Sequence, residues 1–299
     1  MPVTVVLPFH NSETTLACAI QSVFAQTYTD WRLMLINDGS TDYSLRVASS
    51  VRDSRVSVIS HDVNRGLAMR LNEAATLVET DLIARFDADD LMHPNRLATQ
   101  VDFLESNLEV DVLGTGLCSL DDYHRPLGMR GSDVCLYSTT GLLRKKQSLV
   151  HPSIVARRAW FLRNRYAEDI RRAQDFELWV RSSSQGDFRA QSLAMPLHFY
   201  REDGNLRLSS QLRSRVVEIA TARRYGDLSD FIAVLSSATF KAVATTSLAL
   251  LDQLGWLQEL RNEHFPSEQD RHVVAQVMNR IHGTSVPNLD CSLSTCGYR

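Results

Sequence analysis

Over the first 110 residues, short apolar runs alternate with helix-periodic segments, and this rhythm restricts the fold more than any other feature of the chain. Residues 3–7 are a continuous, largely β-branched run, and residues 31–36 and 56–59 are further apolar runs. Leu16, Ile20, Val23 and Phe24 recur at helical spacing, as do Leu67, Leu71, Ala74, Ala75 and Val78. Residues 82–86 read as a fourth strand, and a helix follows Pro94 through Leu97, Val101 and Leu104. Strands and helices alternating at this pace imply βαβ units and a mostly parallel sheet. After about residue 110 the alternation weakens into one more strand (110–113), a loop and irregular helix. From about residue 209 to Pro287 the pattern is helical, and the polar last dozen residues read as frayed.

The length allows one substantial core, or a catalytic domain with a smaller helical appendage. At 44% apolar and 22% charged residues the composition is that of a soluble globular protein, and a net charge of −3 gives no footprint for nucleic acid. Five scattered cysteines predict reduced thiols rather than a disulfide framework. The N-terminus has no basic leader and reads as a first strand. Residues 231–251 are the one candidate membrane span, but Lys241 and six Ser/Thr residues dilute them, which predicts a buried amphipathic helix.

In an open parallel sheet, ligands bind at the carboxyl ends of the strands. Three polar clusters fall there: Pro8-Phe9-His10-Asn11, Asn37-Asp38-Gly39-Ser40 and Asp87-Ala88-Asp89-Asp90. Each alone is explicable as turn or capping chemistry, but together they describe a pocket for a nucleoside diphosphate. Three carboxylates within four residues repel one another, and a shared hard cation such as Mg²⁺ or Mn²⁺ relieves that repulsion.

These segments resemble a family 2 glycosyltransferase. The matches run in order: the Pro-x-x-Asn after the first strand; Ser22 to Tyr28; Asn37-Asp38-Gly39-Ser40-Thr41-Asp42; Asn64-Arg65-Gly66 with Leu71-Asn72; Asp87-Ala88-Asp89-Asp90; His151-Pro152-Ser153; and Gln174-Asp175-Phe176-Glu177-Leu178-Trp179. The resemblance implies a GT-A fold, Rossmann-like with a mostly parallel sheet flanked by helices, and a C-terminal helical region. It places a catalytic domain at 1–208, with a nucleotide-sugar half to about 110 and an acceptor half beyond it, and the helical region at 209–299. It also implies roles. Asp38 would accept hydrogen bonds from the nucleobase, with Pro8, Phe9 and Asn11 lining that side and Asn64 and Gly66 nearby. Asp87 would face the ribose, with Ala88 in the same nucleotide-sugar site, and Asp89 would ligate Mn²⁺ or Mg²⁺. Asp175 would be the general base, with His151 and Trp179 on the acceptor side.

The implied reaction is inverting transfer from a nucleoside-diphosphate sugar, UDP-sugars being the default, to a hydroxyl of a saccharide or lipid-linked acceptor. A cytoplasmic setting in bacterial polysaccharide biosynthesis follows from the same resemblance. Peripheral attachment at the inner membrane face is left open by the basic stretch from Arg144 to Arg172. Four departures stand out. Asn37 replaces the first Asp of the Asp-Asp-Gly-Ser pattern, Gln174 replaces the usual acid before the base, Leu71 stands where relatives carry an Arg near the diphosphate, and Asp203 stands where they carry a His. A decayed sugar-nucleotide-binding scaffold is the rival reading. A phosphohydrolase would carry acids after strand one, and a nucleotidyltransferase would carry a basic Gly-rich loop there; neither is present.

Overall fold

The computed structural model describes residues 1–202, 208–250 and 264–292. Its nine strands form one sheet in the order β3-β2-β1-β4-β8-β6-β9-β5, with β7 added on β6. The nucleotide half follows the expected rhythm: β1 (Val3–Phe9), α1 (Leu16–Phe24), β2 (Trp31–Asp38), α2 (Ser44–Ser50), β3 (Val56–His61), α3 (Leu67–Leu77) and β4 (Leu82–Arg85). β3, β2, β1 and β4 are all parallel. Their runs are continuously apolar because both faces are covered. Val3, Val5, Leu7 and Phe9 belong to one core cluster with Leu16 and Ile20 of α1, whereas Val6 belongs to a second with Leu71 and Ala74 of α3.

The second half is more strand-rich than its sequence implies. It contains β5 (Leu91–Met92), α4 (Arg96–Ser106), β6 (Val112–Leu120), β7 (Pro126–Arg130) and α5 (Thr139–Leu143). A 3-10 turn (His151–Ser153), β8 (Val155–Arg157), α6 (Arg158–Arg163), α7 (Gln174–Ser184) and β9 (Ala190–Arg201) follow. β8 runs antiparallel to β4 and β6, and β5 antiparallel to β9, so this half of the sheet is mixed. Pro196 hides β9 in the sequence. It lies at the register shift opposite Gly116, where the ladder is already broken and its missing N–H is tolerated. A Cβ on Gly116 would lie 2.4 Å from the Ala194 carbonyl oxygen, so only glycine fits that approach.

The C-terminal region is helical: α8 (Leu208–Tyr225), α9 (Leu228–Leu250) and α10 (Glu268–His282). It folds back at two places. α8 packs on α5, α7 and α9, while α10 packs on α1 and β7. A capping box between Ser267 and Asp270 starts α10, and its Val274, Met278 and Ile281 close a third apolar cluster with Leu91, Cys118 and Phe199.

Two expectations are corrected. The expected buried helix is exposed: residues Leu228–Ser247 are long and apolar enough to cross a membrane, and only 22% of that window is buried. Buried Cys18 is disulfide-bonded, against the expectation of reduced thiols throughout.

Candidate active site

Two loops that close the carboxyl ends of β1 and β2 are tied together by their own polar side chains. Asn11 adopts a left-handed backbone (φ 52°), and its Oδ1 accepts the Thr41 N–H at 2.8 Å. Asn37 accepts the Ser40 N–H and donates to the Ser60 hydroxyl. An amide at position 37 thus meets both an N–H and a hydroxyl.

Asp38 is the anchor of the next loop. Its Oδ1 accepts the Arg65 N–H at 2.9 Å and the Arg70 Nε–H at 2.7 Å, and its Oδ2 accepts the Gly66 N–H at 2.8 Å. Burial pushes its pKa up, but the amides of Arg65 and Gly66 and the Arg70 guanidinium outweigh that and hold it below the ordinary range. Gly66 caps α3 at φ 94°, and a Cβ there would lie 2.7 Å from the Arg171 guanidinium.

Of the other residues expected on this side, Asn64 is exposed and Pro8 is buried. Phe9 and Ala88 are core residues: β-strand alternation turns the Phe9 ring inward with Leu7 and Val5, so residue 9 would line the nucleobase side through its backbone. Arg70, one position from the slot where relatives carry Arg, is spent on Asp38, Glu73 and the Val63 carbonyl.

The acidic segment follows β4 and splits into two environments. Ligand oxygens of Asp87, Asp89 and Asp90 lie within 4.8 Å of one another. Asp90, however, is 1% exposed and turned inward. It accepts from His198 Nε2 at 2.8 Å and from the Arg201 N–H at 3.0 Å. Arg96 donates to His198 Nδ1 at 3.1 Å, which fixes a neutral imidazole carrying its proton on Nε2. Burial and the Arg96 charge hold the His198 pKa well below the usual value, while burial and Asp87 push Asp90 well above. Asp89 is exposed, and Asp87 is half-buried with an ion pair to Arg85 at 2.5 Å. Asp87 lines the cleft and Asp89, next to it, is exposed, and their carboxylate oxygens suit a hard divalent cation that keeps open positions for phosphate oxygens, whereas Asp90 is buried on His198 and the Arg201 amide.

The base candidate starts a helix. Ala173, at φ 52°, sets the turn into α7, and Asp175 lies in its first turn. The Asp175 and Phe176 amides favour its carboxylate, yet burial dominates and raises its pKa. Asp175 and Asp87 line one cleft of about 710 Å³, along with His151, Trp179, Arg85, Arg171, Lys145 and Arg215. His151 bonds the Tyr166 hydroxyl at 2.7 Å and stays neutral, because burial and the nearby Arg85 charge disfavour its protonation. Trp179 is 3% exposed and stacks with Phe188, and its indole N–H has no hydrogen-bond partner among the described residues. Asp203 lies outside the described residues.

Sequence reasoning missed Arg85 and the wall supplied by α8. Arg85 is 3% exposed and carries one cation between the acids of β4 and the start of α7. Its signal was an arginine closing an otherwise apolar strand.

The comparisons agree with this geometry. EpsE of Bacillus subtilis (strain 168), a protein named as a glycosyltransferase, is 34% identical over 210 residues, covering 68% of this chain and 74% of EpsE. The crystal structure of S. aureus TarS 1–349 in complex with UDP-GlcNAc superposes with a TM-score of 0.63 at 16% identity, covering 94% of this chain and 82% of that one. The mannosyltransferase PcManGT from Pyrobaculum calidifontis, in complex with GDP-Man and Mn²⁺, gives 0.55 at 18% identity, covering 93% and 84%. These neighbours show the GT-A fold. The model for glycosyl transferase family 2 matches residues 4–171, from the first strand through the loop ahead of Asp175. The chain is therefore a glycosyltransferase belonging to family 2.

Proposed function

We propose that this enzyme transfers a sugar, with inversion and with a divalent cation, from a nucleoside-diphosphate sugar to a hydroxyl of a saccharide or lipid-linked acceptor. The observation that carries the reading is that Asp87, from the acidic segment, and Asp175 line the same cleft. An acceptor hydroxyl is a weak nucleophile near neutral pH, so a carboxylate must take its proton as the new bond forms. Asp175 is suited to this, since its raised pKa makes it a better base than a solvated aspartate. A cation held by Asp89, with Asp87 beside it, would neutralise charge gathering on the departing diphosphate. Asp38 serves the nucleobase end by fixing the 63–66 loop, while Asn11 fixes the turn opposite. His151 and Trp179 form the acceptor-side floor.

A UDP-sugar is the first choice of donor, because TarS was captured with UDP-GlcNAc; PcManGT makes GDP the competing base and Mn²⁺ the first ion to test. Peripheral attachment to a bilayer belongs to the same reading. α9 presents Ile232, Leu235, Phe240 and Val243 to solvent, with no charge between Asp230 and Lys241, and Arg223 and Arg224 lie exposed at the end of α8. A cytoplasmic setting goes with it.

Calorimetric titration with UDP, GDP and dTDP, with and without Mn²⁺, tests the donor site. Binding of one nucleotide that needs Mn²⁺ and is lost in Asp89→Ala is expected. Mn²⁺-independent binding that survives this change would remove the assignment of Asp89 to the cation.

A further inference from the structure

One wall of the cleft carries more positive charge than its own carboxylate can balance. Lys145 and Arg215 both line it. Lys145 Nζ lies 2.6 Å from Glu218 Oε1, and Arg215 Nη1 lies 2.8 and 2.9 Å from the two Glu218 oxygens. Lys241 of α9 stands behind them, close enough that its pKa is lowered by burial and then by the charges of Lys145 and Arg215. Three cations thus surround one carboxylate. Glu218 is 8% exposed on its side chain, while Lys145 is 41% exposed and reaches the cleft. Among the described residues Arg215 Nε has no hydrogen-bond partner. Lys145 also sits in the left-handed region (φ 55°), a conformation costing a non-glycine residue about 1 kcal/mol or more. That turn directs its ammonium over the Phe176 ring, 5.6 Å from the centroid and one residue from Asp175.

The donor does not account for these cations. Lys145 follows α5 and Arg215 is on α8, elements that pack on α7 and α9 rather than on β1, β2 or α3. Within the cleft the Lys145 charge acts on Asp175, at the start of α7, and Lys145 lies over the ring of the next residue, Phe176.

We propose that Lys145 and Arg215, backed by Lys241, form a phosphate-binding subsite on the acceptor side of Asp175, and that the acceptor carries a phosphate or diphosphate group near the hydroxyl that reacts. This rests on the reading of Asp175 as the base, and it narrows the acceptor class from any hydroxyl compound to an anionic one. Phosphate displaces part of the Lys145–Glu218 pairing and gains charge-assisted bonds to both cations.

Titration of the full chain with inorganic phosphate, sn-glycerol 3-phosphate and geranyl diphosphate tests the subsite, each probe added to protein alone and to protein saturated with UDP and Mg²⁺. Phosphate is expected to bind equally in both states. Lys145→Gln with Arg215→Gln, made in the Glu218→Gln background so that no buried carboxylate loses its partners, is expected to weaken it at least tenfold relative to Glu218→Gln alone, with UDP affinity little changed. Glu218→Gln, which removes the competing carboxylate, is expected to tighten it. Geranyl diphosphate binding well above glycerol phosphate supports a lipid-linked diphosphate acceptor, and equal binding supports a phosphorylated soluble or polymeric one. Phosphate displaced by UDP, or UDP affinity falling in step with phosphate affinity in the combined variant, would assign the cations to the donor and overturn the subsite. Absence of phosphate binding to wild type would also overturn it. Failure of UDP to bind, with phosphate binding intact, would instead count against the donor site alone.

Discussion

Asp175 is held where protein stability and base strength pull in opposite directions. Its folded pKa lies above the unfolded value, so the protonated acid is the better-accommodated form. The associated stability is present at low pH and is lost as pH rises from the ordinary carboxylate value through the raised one. Asp175→Asn is therefore expected to raise the melting temperature of ligand-free protein at neutral pH, with the gain vanishing under acid conditions. The same variant should lower kcat by about 10²–10⁴-fold while sparing donor affinity; retained transfer would remove Asp175 as base. The acid limb of the wild-type pH–rate profile is expected above the range of a solvated aspartate. Asp38 shows the opposite sign. Asp38→Ala takes from buried Arg70 its shortest ion pair and from the Arg65 and Gly66 amides their acceptor, leaving Arg70 only Glu73 and the Val63 carbonyl, and urea unfolding should register a loss of about 3–5 kcal/mol. Asp38, Asp87, Asp89 and Asp175 were visible in the sequence because short motifs preserve local spacing. Their surroundings were not. Nothing in Asn-Asp-Gly-Ser announces that Asp38 faces the amides of residues 65 and 66 rather than open solvent.

At the scale of elements, legibility followed burial. β1, β2 and β4 are enclosed on both faces and read as continuous apolar runs, and α3 showed its stripe of Leu71, Ala74 and Ala75. β9 escaped because its middle is partly exposed and contains Pro196, and β5 is two residues long, below any period. α9 does not fit the expected buried helix because its large apolar residues Leu228, Ile232, Leu235, Phe240 and Val243 face solvent rather than a protein core. The Gly66 hinge between β3 and α3 bears a direct test. Gly66→Ala places a Cβ at φ 94° and against Arg171, so a stability loss of about 1–3 kcal/mol in urea, with weakened UDP binding, is expected. For α9, Ile232→Ser with Phe240→Ser should reduce sedimentation with phosphatidylglycerol vesicles while leaving phosphatidylcholine sedimentation and melting temperature unchanged. Equal sedimentation of wild type and variant would remove this face as an anchor.

Over the whole molecule, the catalytic cleft does not end where the recognisable motifs end. Gln211, Ser214, Arg215 and Glu218 of α8 line it, and α8 covers α5 and α7. A chain ending at residue 207 keeps every motif acid. It is nevertheless expected to lose transfer activity and solubility, as assay and size-exclusion chromatography would show. That wall could not be read from sequence, because α8 reaches the cleft only through a return of the chain set by distant packing. The buried relay Arg96–His198–Asp90 has its own consequence. It ties the residue after Asp89 to β9 and to the start of α4, joining the two halves of the sheet through groups that never meet solvent. A mutational survey scored only by turnover would give Asp90 and Asp89 the same inactive phenotype and invite the same explanation for both. On the proposed assignment the Asp89 variant lacks a cation ligand, whereas the Asp90 variant loses the contacts that tie its loop to β9 and α4, and only a melting curve beside each assay tells the two failures from one another.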